Sequence, residues 1–538
     1  MPSIDALPTA STHTRAVTAV LPSADDACSF LINRANKSYK HQYANIYFVR
    51  LRLLRQFVEA RAHQRWKNVD GEPILVPRVL EVVKSQLCYI VGTVYMDMPL
   101  KPNVMEDIAR DHSIPPPPPP LKFYSPDDNV MLEDESGRIR LVGERVGAAR
   151  LVTGVIIGAL GAETANGDFE VIDICYPGMA PQAAQETGEP PDEEKMDVDG
   201  QSTTPDEWIG IISGLDIGSP SPSDAQIQML VEYLTGEEGG VAEQVSAAQI
   251  SRLIIAGNSL ATIAPTGRGE SIDIEQQRKP RRYGYDAANF SPHPVLSLSD
   301  HLLDIGSAMP IHILPGDTDP SGTIMPQQPF PRAMLGAVSK LPSFSCETNP
   351  TYLRLSCDAE CKAEASSRPT ITRTLLVNSG QPVNDMFKYL PSPPNTRLSI
   401  LESTLRWRHM APTAPDTLWC HPYFGRDPFI ITETPDLYIV GNQKRFSTKI
   451  VVDEEAEADG ARARCRIIMV PEFARTGVLV LVNLRSLDVK TVTFAVEGMT
   501  GGGEEVLQPE AEASKAPSPP PALPESSAPH LQSSPEFM

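Results

Sequence analysis

Short apolar runs recur through the second half of this chain, and five of them end in loops built from Gly, Asn, Asp and Ser. The runs are Trp208–Ile212, Leu253–Ile255, Ile311–Leu314, Leu375–Val377 and Leu437–Val440. Each is brief and continuous, the pattern of a strand buried on both faces. Between them the apolar spacing becomes helical. Ile227, Leu230, Val231 and Leu234 form one stripe, Val295, Leu298, Leu302 and Ile305 a second, and Leu398, Leu401 and Leu405 a third, with Asn395 as its expected cap. After the fifth loop, Cys465–Val470, Val478–Leu484 and Val489–Val496 read as consecutive strands. The alternation predicts a two-layer α/β sandwich with a β-rich end over residues 206–499.

Upstream the pattern differs. Residues 26–67 read as helical, with Tyr47, Val49 or Phe48, Leu51, Leu54 and Val58 as the apolar stripe. Arg50, Arg52, Arg55 and Arg61 surround it and read as a solvated rim, with contact to phosphate or an acidic partner as the alternative. Five β-rich runs follow: Cys88–Tyr95, Asn129–Leu132, Arg138–Val142, Leu151–Leu160 and Phe169–Cys175. Asp134–Gly137 reads as a hairpin connection and Asn166-Gly-Asp168 as a type I′ turn. Five short strands in about ninety residues suit an OB-fold barrel, so 26–177 is expected to hold the helix and the barrel. Residues 1–25 and 500–538 read as disordered tails, 178–205 as an acidic linker, and 261–292 and 340–370 as polar insertions.

Composition narrows the function classes. At 538 residues the chain exceeds one compact core, which fits two domains plus tails. The formal charge of −21 argues against DNA binding as the main activity, since phosphate contacts need clustered Lys and Arg. The runs Asp192–Asp199 and Asp453–Asp459 carry much of that acid. The eight cysteines show no paired spacing; Cys357 and Cys361 stand alone as C-x3-C, short of the four ligands of structural zinc. Reduced thiols in an intracellular, soluble protein are expected. No apolar run approaches the roughly 20 residues of a membrane span. The barrel's central runs offer Leu, Ile, Val and Glu where a single-strand-binding barrel would place stacking aromatics beside Lys and Arg, so it reads as a protein-docking barrel, with a single-stranded-DNA-binding module as the alternative.

Chemistry, if any, belongs in the five loops, because sites in open α/β sheets form at the carboxyl ends of strands. They read Ser213-Gly-Leu-Asp-Ile-Gly218, Ala256-Gly-Asn258, Pro315-Gly-Asp-Thr-Asp319, Asn378-Ser-Gly380 and Gly441-Asn-Gln-Lys444. Their order and spacing resemble a calcineurin-like metallophosphoesterase. On that pattern the ligand positions fall at Gly214, Asp216, Asn258, Asp317, Thr318, Ser379, Asn442 and Lys444. No histidine remains at any of them, and two close divalent cations need several carboxylates and imidazoles. The resemblance implies a scaffold kept after its chemistry was lost, with no cofactor and Lys444 standing in for a metal charge.

An OB-fold followed by such a ligand-depleted phosphoesterase resembles the B-subunit family of DNA polymerases alpha, delta and epsilon. Tyr43–Tyr47, Val91-Gly-Thr93, Leu151–Gly154, Ser251–Asn258, Met325–Pro329, Pro412–Leu418, Asp427–Ile430 and Leu481–Leu487 are similar to the polymerase delta members of that family, from about residue 33 to 496. This chain departs from them in longer insertions, among them 182–205, 357–368 and 454–461. The resemblance implies a nuclear, non-catalytic scaffold in DNA replication and repair. Its implied partners are the cysteine-rich C-terminal module of the polymerase delta catalytic subunit and the third subunit, with possible sharing by polymerase zeta. DNA would be met through the complex, and no membrane is involved.

Alternative readings attach to individual residues. Asp216, Asp317 and Asn258 are the candidates for a residual cation site in a divergent phosphoesterase or nuclease; in the plainer reading they accept backbone amides. Asp319 precedes a proline and reads as an ordinary turn residue. His312 reads as a packed strand histidine; His409, His421 and Cys420 together suggest a metal but lack a fourth ligand, and read as structural. Arg278, Lys279, Arg281 and Arg282 form a basic cluster that fits a nuclear localisation signal. No phosphate loop, nucleophile elbow or dinucleotide fingerprint is present.

Overall fold

Strand β1 (Thr18–Leu21) lies antiparallel against a strand more than 300 residues away, with Thr18 opposite Cys357. The computed structural model describes residues 14–22, 29–33, 40, 42–102, 120–183, 207–220, 223–237, 239–262, 291–357, 371–453 and 462–496. Part of the expected N-terminal tail is therefore structured. Just before β1, the Arg15 guanidinium donates to the carbonyls of Leu234, Ala247 and Ile250. Long-range pairing of this kind leaves no local periodicity to read.

Helix α1 spans Asn45–Trp66, later than the expected start, and residues 29–33 are irregular. Its buried ladder is Ile46, Arg50, Leu54, Val58, Ala62 and Trp66, each four residues from the next. The helix packs on the barrel wall, and Gly158 makes room for it, since a Cβ there would lie 3.0 Å from Val58.

The barrel follows β2 (Ile74–Leu75) and comprises β3 (Cys88–Asp97), β4 (Asn129–Glu133), β5 (Arg138–Val142), β6 (Ile156–Glu163) and β7 (Phe169–Cys175), with the short helix α2 (Glu144–Ala148) between β5 and β6. The order is β3-β4-β5-β7-β6, closing on β3. Only β5–β7 is parallel among these pairs, so the topology is that of an OB-fold. The 164–168 turn is not type I′: only Gly167 has positive φ, whereas type I′ needs two such residues.

From Trp208 the chain builds two sheets. The first holds β8 (Trp208–Ile212), β9 (Ile250–Ala256), β10 (Ile311–Leu314) and β11 (Phe344–Cys346), all parallel neighbours. Helices α3 (Asp224–Thr235), α4 (Val241–Ala248) and α5 (His293–Ala308) connect them. The second holds β12 (Thr351–Cys357), β13 (Thr372–Asn378), β14 (Leu437–Gln443), β15 (Ser447–Val452) and β16 (Arg464–Pro471), with α6 (Gln381–Tyr389) and α7 (Arg397–Arg406) following β13. After the single-turn helix α8 (Phe473–Thr476), β17 (Val478–Asn483) and β18 (Val489–Thr493) return to the first sheet beside β8.

The result has four layers, where the apolar pattern predicts two. Ile209, Ile254, Leu375, Ile439 and Ile468 meet between the sheets. α3 and α5 cover the outer face of the first sheet. α6 and α7 cover the second, and the same apolar cluster runs on into the barrel interior through Leu151, Val152 and Val155. Three further expectations change. The 340–370 insertion contains β11 and β12, and Cys357 is fully buried between the sheets; Cys361 lies outside the described residues. Thr396, not Asn395, caps α7, while Asn395 accepts from Arg150 Nε at 3.0 Å. Residues 178–183 of the expected linker are placed, with Met179 and Ala180 buried; 184–206 and 500–538 lie outside the described residues.

Candidate functional site

All five loops gather at one end of the two sheets, and they pack directly on one another. A Cβ on Gly316 would overlap Asn258, one on Gly257 would overlap Ser379, and one on Gly441 would overlap the Ala256 carbonyl. A Cβ on Gly214 would stand 3.0 Å from Asn442 Oδ1. The fifth loop begins inside β14 as a bulge, with a register shift between Val440 and Gln443. Asp216, Asn258 and Asn442 all take positive φ, at 51°, 53° and 54°. Asn and Asp tolerate this conformation better than other side-chain-bearing residues, and strained backbones of this kind cluster at active sites, ligand clamps and switch regions.

Many polar groups of this crown bond to one another, while Asn442 Oδ1, Gln443 Oε1 and Ser259 Oγ are buried without a hydrogen-bond partner among the described residues. Asn442 Nδ2 donates to the Ser379 carbonyl at 2.9 Å, and its backbone N–H donates to Ser213 Oγ at 2.9 Å. Thr318 Oγ1 donates to the Leu260 carbonyl at 2.6 Å. Ser379 belongs to a buried amide network: Asn349 Nδ2 lies 2.6 Å from Ser379 Oγ and 2.7 Å from both Gln327 Oε1 and Gln381 Oε1. Gln327 Nε2 in turn donates to the Gly316 carbonyl at 2.9 Å. Gln327, Asn349 and Gln381 escaped the sequence reading, although Gln327 sits inside the Met325–Pro329 string.

The carboxylates scatter. Asp319 is the latch between the second and third loops, accepting from Gly316 N and Leu260 N at 2.8 Å and from Ser259 N at 3.2 Å. Burial raises its pKa to about 6 despite these bonds. Asp216 is part-buried with its pKa raised by desolvation, Asp317 is exposed, and Lys444 is exposed with no ion pair or hydrogen bond among the described residues. Asn442, bonded to the Ser379 carbonyl, occupies the junction of the loops. Among the described residues no three His, Cys, Asp or Glu side chains gather as metal ligands. Amides, hydroxyls and three aspartates that do not gather, one of them latched onto backbone N–H groups, do not fit a pair of divalent cations.

A second polar centre lies where α1, the barrel and the sandwich meet. Arg50, read as a solvated rim residue, is fully buried. Its Nε donates to Asp427 Oδ2 at 2.7 Å, and its terminal nitrogens donate to the carbonyls of Pro412 at 2.7 Å, Ala414 at 2.9 Å and Gly154 at 3.2 Å. Gly154, at φ 90°, leaves no space for a Cβ beside Pro412 and Arg50. His409 Nε2 sits 2.9 Å from the same Asp427 oxygen. Burial would raise the Asp427 pKa, but Arg50 and His409 hold it well below the usual carboxylate range. Burial, then the Arg50 charge, lowers the His409 pKa to about 4 against the pull of Asp427. Four strings singled out in the sequence converge here: Tyr43–Tyr47 on the turn before Arg50, Leu151–Gly154, Pro412–Leu418 and Asp427–Ile430.

His312 is likewise structural, with Nε2 at 2.6 Å from Arg252 Nη1 and Nδ1 at 2.8 Å from Glu347 Oε1. His421 packs edge-on against Tyr423, and burial pushes the Cys420 thiol up to about 12. The basic cluster Arg278, Lys279, Arg281 and Arg282 lies outside the described residues.

Residues 42–174 match the family described as DNA polymerase delta subunit OB-fold domain, and residues 209–448 match the DNA polymerase alpha/epsilon B-subunit family. The chain is 35% identical to the DNA polymerase delta small subunit of Arabidopsis thaliana, over 85% of this chain and 92% of that protein. It is 32% identical to the DNA polymerase delta small subunit of Saccharomyces cerevisiae, over 86% of this chain and 91% of that protein. Against DNA polymerase delta subunit 2 of Drosophila melanogaster the identity is 30%, over 85% and 94%. With the barrel, the paired sheets and these matches along most of its length, the chain belongs to the DNA polymerase delta small-subunit family.

Proposed function

We propose that this chain is a non-catalytic scaffold subunit of the DNA polymerase delta complex, working in the nucleus in DNA replication and repair. The observation that carries the reading is the crown: its loops are closed by Asn442, Ser379, Asn349 and Gln327, neutral groups that cannot generate a metal-bound nucleophile. We read the four-layer part as a degenerate calcineurin-like phosphoesterase, supported by the position of all five loops at strand ends and by their three left-handed backbones. In this reading Gly214, Asp216, Asn258, Asp317, Thr318, Ser379, Asn442 and Lys444 mark ligand positions that no longer bind.

Retention of so elaborate a fold without its chemistry points to selection on surface. The buried Arg50 centre supports this, because it holds α1, the barrel and the sandwich as one body able to present a composite face. The partners in this reading are the C-terminal cysteine-rich module of the catalytic subunit and the third subunit, with polymerase zeta as a second user. Arg278, Lys279, Arg281 and Arg282 supply the import signal. DNA is met indirectly.

Two measurements test it. Manganese-dependent hydrolysis of bis(p-nitrophenyl) phosphate is expected at background level, equal in the parent and in Asp317→Ala. Hydrolysis that disappears in Asp317→Ala favours the phosphoesterase alternative. Affinity capture of the tagged chain from native extract is expected to recover the polymerase delta catalytic subunit; its absence from the captured material refutes the scaffold reading.

A further inference from the structure

The outward face of α1 is left uncovered by the fold: Leu53 and Phe57 are each 40% exposed. Between them and residues 425–432 runs a groove of about 410 Å³, within the range of ligand sites. Arg408 lines it. This residue is only 6% exposed, its Nε is buried without an acceptor, and no ion pair or hydrogen bond among the described residues reaches its guanidinium. The guanidinium stacks over the Phe57 ring, whose centroid lies 4.2 Å away.

The other deeply buried arginines are provided for. Arg50 has Asp427 and three carbonyls, Arg373 has Asp436 with the carbonyls of Leu484 and Arg485, and Arg252 has Thr18 and His312. Around Arg408 the charges do not balance. Burial lowers its pKa to about 10, with Arg61 adding to the effect and Asp453 opposing it. Asp453 itself lies 3.9 Å from Arg61, and Asp427, which also lines the groove, is committed to Arg50 and His409. A guanidinium removed from water with no ion pair or hydrogen bond among the described residues is unfavourable, and an anion arriving in the groove would relieve it.

We infer that this groove docks a short segment of a partner polypeptide in which an Asp or Glu is flanked by apolar side chains. The carboxylate meets Arg408, with Arg426 at the rim, and the apolar neighbours rest on Leu53, Phe57, Pro181 and Ile431. Charge complementarity fixes the acidic residue, and the wall chemistry fixes its neighbours. A nucleic-acid strand fits less well, because one recessed arginine in an apolar slot cannot track regularly spaced phosphates. The inference rests on the scaffold reading only for the identity of the polypeptide that carries the segment.

The test uses the full chain and two end-blocked fluorescent peptides, Gly-Ser-Leu-Glu-Phe-Leu-Ser-Gly and its Gln counterpart, read by fluorescence anisotropy. The Glu peptide is expected to bind at least tenfold tighter than the Gln peptide, and Arg408→Met is expected to erase that preference. Arg408→Met is also expected to melt no lower than the parent, since it removes a buried charge that has no ion pair or hydrogen bond among the described residues. Gly425→Leu, placed where a Cβ meets nothing within 4 Å, is expected to fold normally and weaken binding of the Glu peptide by filling the groove. Equal binding of the two peptides, no binding, a preference that survives in Arg408→Met, or a lower melting temperature in that variant each overturns the inference. So does Arg408-dependent binding confined to a dT12 oligonucleotide. Capture of polymerase delta subunits is read separately, so failure of the scaffold reading leaves the peptide result interpretable.

Discussion

Arg50 Nε lies 2.7 Å from Asp427 Oδ2, and both side chains are fully buried at the meeting point of helix, barrel and sandwich. The pair is well compensated: three carbonyls take three of the four remaining guanidinium protons, while His409 and the Phe429 N–H bind the carboxylate. Removing one member strands the other in an apolar interior.

Arg50→Met and Asp427→Ala are each expected to lose about 3–5 kcal/mol of stability. The double variant Arg50→Met/Asp427→Leu is expected to lose less than the sum of the two, because no orphan charge remains. Denaturant unfolding of the three proteins measures this.

His409 gives the fold a pH dependence of stated sign. Its folded pKa, about 4, lies below the ordinary 6.5, so the folded state disfavours the proton. The contribution is fully present above pH 6.5 and is lost as pH falls toward 4, a span worth about 3 kcal/mol. Asp319 acts in the opposite direction, since its raised pKa of about 6 makes the fold bind a proton more readily than the unfolded chain. His409→Gln is expected to flatten the loss of melting temperature between pH 6.5 and 4, and an unchanged slope would refute this assignment.

The N-terminus bears on stability as well. A chain beginning at residue 26 lacks the Arg15 contacts to three carbonyls and the β1 pairing, and it leaves Arg252 without its Thr18 acceptor. Hydrogen bonds involving charged groups are worth about 1.5–3 kcal/mol each. Residues 26–496 are therefore expected to melt several degrees below residues 14–496 in a thermal scan.

Much of this was legible in the chain. The five loops follow runs whose unbroken Ile, Leu and Val content leaves few alternatives to buried strands, and the barrel strands were separated by turn residues. Arg50 was misread because its chemistry was weighed alone; its four-residue spacing from Ile46 and Leu54 marked it as a rung of the buried ladder. Strands β1 and β12 were missed because Thr18–Leu21 and Thr351–Cys357 are short and mixed, and only their mutual pairing defines them. The amide network joins residues 22 to 54 positions apart, and no spacing rule reports such a contact.

The crown is expected to be indifferent to divalent metal. Addition of 5 mM magnesium or manganese, or of excess chelator, should leave the melting temperature unchanged, because a ligand that does not bind the native state cannot stabilise it. A rise of several degrees with either ion would show a site that the loop packing does not admit.

The most direct test of the scaffold claim is gel filtration of residues 14–496 co-expressed with the C-terminal module of the polymerase delta catalytic subunit and the N-terminal domain of the third subunit. The account predicts one ternary species, lost or weakened when Arg50→Met loosens the body that presents the shared face. A chain that elutes alone, folded and soluble beside both partners, contradicts it.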